Sequence, residues 1–204
     1  MSESDLAMHG HGALMEESPY AIPSRKLTMW LFIISDAVTF GALLFAYGFI
    51  RVSAANWVRP FEGASLINVI IMTFVLITSS LTMLGAVDAA KAGDQSKAIR
   101  FLYSTMTLGA LFASLHIREW AELFGRNITL SSSLFGQTFF TITGLHLLHV
   151  ISGVLALFVI ARGYSRSKLT ASHVETMGLY WHFVDLVWMF VVSLVYLTNI
   201  AVAH

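Results

Sequence analysis

The chain has 204 residues and no cysteine. That absence excludes disulfides, thiolate metal sites, iron–sulfur clusters and covalent attachment of c-type haem. A redox centre held by this chain alone would need histidine or methionine ligands. Charge is the second scarcity. Only 12% of residues are charged and the formal net charge is zero, against 56% hydrophobic residues and a mean hydropathy of +0.72. A soluble domain carries roughly 25% charged residues, so this composition is that of a membrane protein. Nothing in the charge balance points to nucleic acid. No internal repeat is evident, and no apolar core of a cleavable signal peptide precedes the first long apolar run.

What is present is long apolar runs. Residues 1–26 are polar and mixed, with His9-Gly10-His11-Gly12 and the acidic pair Glu16-Glu17, and read as a flexible, solvated tail. Five segments follow, at about 27–50, 66–90, 98–123, 134–161 and 174–201, each reaching the ~20 residues that cross a hydrocarbon core. The connecting loops are short. The expected fold is all-α: one integral-membrane bundle of five transmembrane helices. Orientation follows from the cations. The tail and the second and fourth loops carry Arg25, Lys26, Lys91, Lys97, Arg100, Arg162, Arg166 and Lys168; the other two loops carry only Arg51, Arg59, Arg118 and Arg126. The positive side is the inside, so the N-terminus is expected inside and the C-terminus outside.

Several ionisable residues lie within these runs. The first span carries Ser35-Asp36, the fourth Thr143-Gly144-Leu145-His146-Leu147-Leu148-His149, and the fifth Trp181-His182-Phe183-Val184-Asp185. A charge in hydrocarbon costs about 2.5–3.5 kcal/mol on insertion scales, so such residues are paired or functional. Counted at 1.5 Å per residue, Asp36, His146, His149, His182 and Asp185 fall ~8–16 Å from the inner boundary, in one layer. They are expected to face the bundle interior and to satisfy one another. Four readings compete for this layer: a packing cluster, a proton path through Asp36 or Asp185, a haem between histidines of two helices, and a metal triad of His146, His149 and His182. His116 and Glu119, beside Arg118 and Trp120, read as an interfacial ion pair or a headgroup contact. Trp30, Trp57 and Trp120 lie near span ends, where aromatic belts form.

These motifs resemble subunit III of the haem–copper terminal oxidases. The resemblance runs through Ser35-Asp36, Leu44-Phe45-Ala46-Tyr47, Glu119-Trp120, the Thr-Gly-x-His-x-x-His-Val-x-x-Gly run from Thr143 to Gly153, and Tyr180-Trp181-His182-Phe183-Val184-Asp185-Leu186-Val187-Trp188. It covers residues 27–200 and implies the five-helix short form, without the two extra N-terminal helices of longer relatives. Asp36 departs from the long forms, which usually carry Glu there. The resemblance implies a non-catalytic subunit of a proton-pumping oxidase of aerobic respiration in a bacterial inner membrane, with cytochrome c favoured over quinol as donor. Haem and copper would then belong to partner subunits, and this chain would hold no cofactor or metal beyond bound phospholipid. The implied partners are subunit I, subunit II and a small subunit IV. On this reading Asp36 is the proton-related residue, and Thr143, His146, His149, His182 and Asp185 form a polar or lipid-associated cluster. Two alternatives are an accessory subunit of a nitric oxide reductase-type complex and a small b-type cytochrome.

Overall fold

A computed structural model describes residues 24–54, 57–61 and 63–199. The polar tail therefore lies outside the described residues, apart from Ser24, Arg25 and Lys26, which open the first helix instead. The helices are α1 (Ser24–Ser53), α2 (Gly63–Lys91), α3 (Gln95–Gly125), α4 (Leu134–Ser165) and α5 (Ala171–Val191). A π-helical turn, Val192–Tyr196, and a 3₁₀ turn, Leu197–Asn199, continue α5. Among the described residues there is no β-strand, and five helices are long and apolar enough to span a membrane. The expected five-span helical architecture is therefore present. Most helices outrun their apolar segments by two to four residues at one or both ends. Apolarity stops where the hydrocarbon stops, whereas the hydrogen-bond ladder continues to a cap.

The caps are local. Gly93, at φ +78°, breaks α2, and the Asp94 side chain accepts from the Lys97 N–H at 2.9 Å to start α3. Ser133 accepts from the Gly136 N–H at 3.0 Å to start α4. Charged side chains then tie one end of the bundle. Lys26 and Lys91 both reach Glu175, at 3.0 and 3.3 Å, joining the start of α1, the end of α2 and the start of α5.

At the opposite end Asn199 is fully buried. It accepts from Trp57 Nε1–H at 2.6 Å and donates to the Tyr47 hydroxyl, while the Arg51 guanidinium donates to the Thr198 carbonyl. The π turn sets this register, because i→i+5 bonding places an extra residue in the turn. Nothing in the apolar pattern of 174–201 marks it.

α5 is the centre of the bundle. It packs on α1, α2 and α4, while α3 bridges α2 and α4 and α1 lies on the outside of α4 and α5. Lipid tails are as apolar as leucine, so helices gain little by burying apolar side chains against one another; shape and hydrogen bonds decide. Trp181 meets both demands. A Cβ at Gly109 on α3 would lie 2.6 Å from the indole, and one at Gly153 on α4 would lie 2.9 Å from it. Two glycines on different helices thus make the slot for one ring. The indole Nε1–H donates to the Ser79 hydroxyl of α2 at 3.0 Å. The close approach at Gly153 is to an aromatic ring, not to a backbone. Further cross-helix bonds run from Trp188 Nε1–H to Thr73 Oγ1 at 3.1 Å and between Thr82 and Thr105 at 2.8 Å.

Gly109→Ala should accordingly push the Trp181 ring off Ser79 and cost about 1–3 kcal/mol of stability. Gly48→Ala, whose Cβ would meet nothing within 4 Å, should be neutral or stabilising. SDS-induced unfolding of the two variants in bicelles measures the contrast.

Candidate functional site

The ionisable residues within the spans do not form one cluster. They separate into three groups by which helix each side chain meets.

The first group joins α1 and α4. Asp36 Oδ2 lies 3.1 Å from His149 Nε2. His149 Nδ1 lies 2.8 Å from the carbonyl of Leu145, one turn earlier on its own helix. A carbonyl can only accept, so Nδ1 carries a hydrogen. Two arrangements then satisfy the Asp36 contact: neutral His149 accepting from a protonated carboxyl, or an imidazolium donating to a carboxylate. Each arrangement places one proton between Asp36 and His149. The pair is at the edge of the bundle, with 18% and 16% of the two side chains exposed. Phe40 caps the imidazole edge-on at 5.3 Å between centroids. Tyr180 of α5 donates to the His149 carbonyl at 2.9 Å and lies 3.0 Å from Ser152 Oγ, which holds this turn of α4 against α5.

The second group joins α2 and α5. His182 Nδ1 lies 2.6 Å from the Ser80 hydroxyl. Asp185, one turn further along α5, leaves its buried Oδ1 without a hydrogen-bond partner. Both side chains are only half-buried. They line the seam between the two helices and do not face the bundle interior.

The third group is sealed inside α3, α4 and α5. His116, His146 and Thr143 are fully buried and Glu119 is 5% exposed. The Tyr196 hydroxyl donates to Glu119 Oε2 at 2.6 Å, and His116 Nδ1 stands 3.7 Å from the same oxygen, beyond hydrogen-bond range. His146 stacks on Trp188 at 5.2 Å, and His116 stacks on Phe112 at 5.8 Å. Neither imidazole makes a hydrogen bond. Thr143 bonds back to the Phe139 carbonyl at 2.8 Å.

Two expectations are corrected by these positions. His116 and Glu119 stand 3.7 Å apart, but both are buried within the bundle and neither faces headgroups. Their neighbour Arg118 is exposed and pairs with Glu122 at 3.1 Å, but Phe112, His116, Glu119 and Leu123 share the buried stripe of α3. Adjacent residues on a helix point about 100° apart, so proximity to Arg118 in sequence says nothing about environment. Trp120 likewise turns inward against Phe140, at 5.3 Å between centroids, and not toward headgroups.

The second correction concerns mutual satisfaction of the mid-span layer. Only Asp36 and His149 meet. The spacing i, i+3 places His146 and His149 about 60° apart around α4, enough for one to face α1 and the other the core. A shared haem or metal slot needs His182 and a helix-4 histidine to converge, whereas His146, His149 and His182 turn to Trp188, Asp36 and Ser80. No group of three or more His, Asp or Glu placed to hold a metal occurs among the described residues.

Nothing in the sequence singles out Tyr196 or Asn199. They lie outside the motifs that single out the other residues, and the π turn that aims them inward has no sequence mark.

Residues 19–199 match the sequence profile of the family described as Cytochrome c oxidase subunit III. The chain is 38% identical over 165 residues to "Cytochrome c oxidase subunit 3" of Corynebacterium diphtheriae, covering 76% of this chain and 80% of that protein. It is 30% identical over 198 residues to "Quinol oxidase subunit 3" of Bacillus subtilis, covering 95% and 97%. It is also 31% identical over 194 residues to "Heme-copper oxidase subunit I+III" of Aeropyrum pernix, covering 90% of this chain and 24% of that longer protein.

The sealed group yields a stability test. Tyr196→Phe removes the donor to a buried carboxyl and should cost about 1–3 kcal/mol. Replacing both partners, as Glu119→Met with Tyr196→Phe, should recover most of that loss. Chemical unfolding of the single and double variants checks the order.

Proposed function

The chain belongs to the cytochrome c oxidase subunit III family of the haem–copper oxidases, and from that premise we propose that it is a non-catalytic membrane subunit holding a single exchangeable proton beside subunit I. The Asp36–His149 pair carries this reading. An acid–imidazole pair moves one proton between its two members with no change of net charge, and handing that proton to a neighbour leaves a single negative charge on the pair until it is reloaded. Its place at the bundle edge gives a neighbour access to it; the sealed Glu119 group has no such access. The arrangement supports roles in proton supply and in protecting subunit I from inactivation during turnover.

Haem and copper belong, on this reading, to partner subunits. The separate directions of His146, His149 and His182 support it over the b-type cytochrome alternative. The 38% identical relative named as a cytochrome c oxidase subunit favours cytochrome c over quinol as donor, although donors act through other subunits. The fused subunit I+III relative supports direct packing of this chain against subunit I. Cation placement supports an N-terminus inside. Residence in a bacterial inner membrane, with subunits II and IV and bound phospholipid as further neighbours, belongs to the same proposal.

Asp36→Ala should leave the complex assembled but shorten the number of turnovers completed before activity halves. His149→Ala should do the same, and the double variant should be no worse than either single one, because the pair acts as a unit. Oxygen uptake followed to inactivation measures this; a variant complex lasting as long as wild type sinks the proposal.

A further inference from the structure

α1 is the least embedded helix of the bundle. Only 11% of its most apolar stretch is buried, against 33% or 50% for the other four. Its buried side chains, Ile33, Phe40 and Tyr47, recur every seventh residue and make one narrow seam. Apolar grooves flank that seam on both sides, one of about 260 Å³ beside Phe183 and Val187 of α5 and one of about 190 Å³ beside Thr138 and Thr141 of α4. Burial against the bundle gains α1 little over burial in lipid, so its polar contacts decide where it stands.

Those contacts lie at three levels. At one end Lys26 meets Glu175 at 3.0 Å and Arg25 meets His173 Nε2 at 2.7 Å. At the other, Asn199 donates to the Tyr47 hydroxyl and the Arg51 guanidinium donates to the Thr198 carbonyl. In between, the hydroxyls of Thr28, Ser35 and Thr39 bond back to α1 itself, at 2.9, 2.8 and 3.0 Å. Among the described residues that leaves Asp36–His149 as the one polar contact over the middle of α1.

The end contacts are made by permanent donors, whereas the middle one depends on a proton. With the hydrogen on Nδ1 held by the Leu145 carbonyl, Nε2 of a neutral imidazole is an acceptor, and so is a carboxylate. Once the shared proton leaves, two acceptors face each other at 3.1 Å and attraction turns to repulsion. No neighbouring cation takes over. Residues 27–50, 134–161 and 171–199 contain no Lys or Arg, and Lys26 lies ~15 Å along α1, held by Glu175. From α5 the titratable group beside the pair is Tyr180, whose hydroxyl is engaged on the His149 carbonyl; on α4, His146 turns to Trp188. The grooves on either side leave α1 room to bow. Gly41, just over one turn beyond Asp36, supports no close packing, since a Cβ there would meet nothing, and it lowers the cost of bending.

We propose that Asp36–His149 is a proton-dependent latch: loaded, it closes the middle of α1 onto α4, and unloaded, it lets that stretch swing out while both ends stay tied. The presence of the proton is thereby converted into the position of a helix. This rests on the reading that the pair holds one exchangeable proton.

The test measures the distance between spin labels at Val38 on α1 and Leu148 on α4, both exposed and level with the pair, in the intact complex. With no cysteine of its own, the chain then carries the introduced pair as its only thiols. Labels at Leu111 on α3 and Leu148 serve as the reference. Raising the pH from about 6 to 9 should lengthen the Val38–Leu148 distance by several ångströms and leave the reference unchanged. Asp36→Asn keeps a donor on Nε2 with no proton to lose, so its distance should stay short throughout. Asp36→Leu should be long throughout. A short distance in Asp36→Leu overturns the latch, and a distance that ignores pH without substitution overturns its dependence on the proton. If Asp36→Ala still shortens the working life of the complex while Asp36→Leu keeps the short distance, the latch falls and the single-proton reading stands. If Asp36→Ala lasts as long as wild type, that reading falls.

Discussion

Inside a bilayer the indole of Trp181 can find a partner for its N–H only on a neighbouring helix, and it can reach one only if the helices between make room. Gly109 and Gly153 make that room, and Ser79 supplies the acceptor. One ring thereby fixes the separation of α2, α3, α4 and α5. A cross-helix hydrogen bond in a membrane contributes only about 0.6–2 kcal/mol, so the fit of the ring between two backbones matters as much as the bond. Other parts of the bundle inherit their geometry from this contact. It determines how far Trp188 stands from Thr73, how His146 stacks on Trp188, and where Tyr180, adjacent in sequence, meets the carbonyl of His149.

The polar residues fall into two kinds once that geometry is in place. Glu119, His116 and His146 are enclosed by Phe112, Trp188 and Tyr196. They hold α3, α4 and α5 in one arrangement. Asp36 and His149 stand at the edge, with a hydrogen-bond acceptor fixed behind the imidazole so that only its outward nitrogen is free to change partner. A rigid interior and an adaptable margin are thus made from the same few residue types, and burial separates them.

Much of this was legible in the chain. Apolar runs alone located all five helices, because hydrocarbon thickness is a strong constraint on length. Depth counting placed Asp36 and His149 near the same level, and the structure joins them. Angular position was harder to read. His146 and His149 are both expected to face the bundle interior, yet the 60° between them sends one to Trp188 and the other to Asp36. Glu119 was judged by the charge of Arg118 next to it, although the helix turns the two apart. Ser80 as the partner of His182 could not be found, because a serine on an apolar helix bonds its own backbone as readily as a neighbour. Local chemistry fixes levels along each axis, while rotation about the axis depends on every helix at once.

The π turn at Val192–Tyr196 has a consequence for comparing this chain with its relatives. By adding one residue to a turn, it offsets everything beyond it by one position around the helix, so that Asn199 meets Tyr47 and Trp57. A relative of equal length that runs this stretch as a regular α-helix would present the equivalent of Thr198 at that place, whereas one a single residue shorter would keep the equivalent of Asn199 there. Aligned without a gap, the two chains would match in letters through the terminal segment while disagreeing about which letters face inward. Chain length across five residues is therefore as informative here as residue identity.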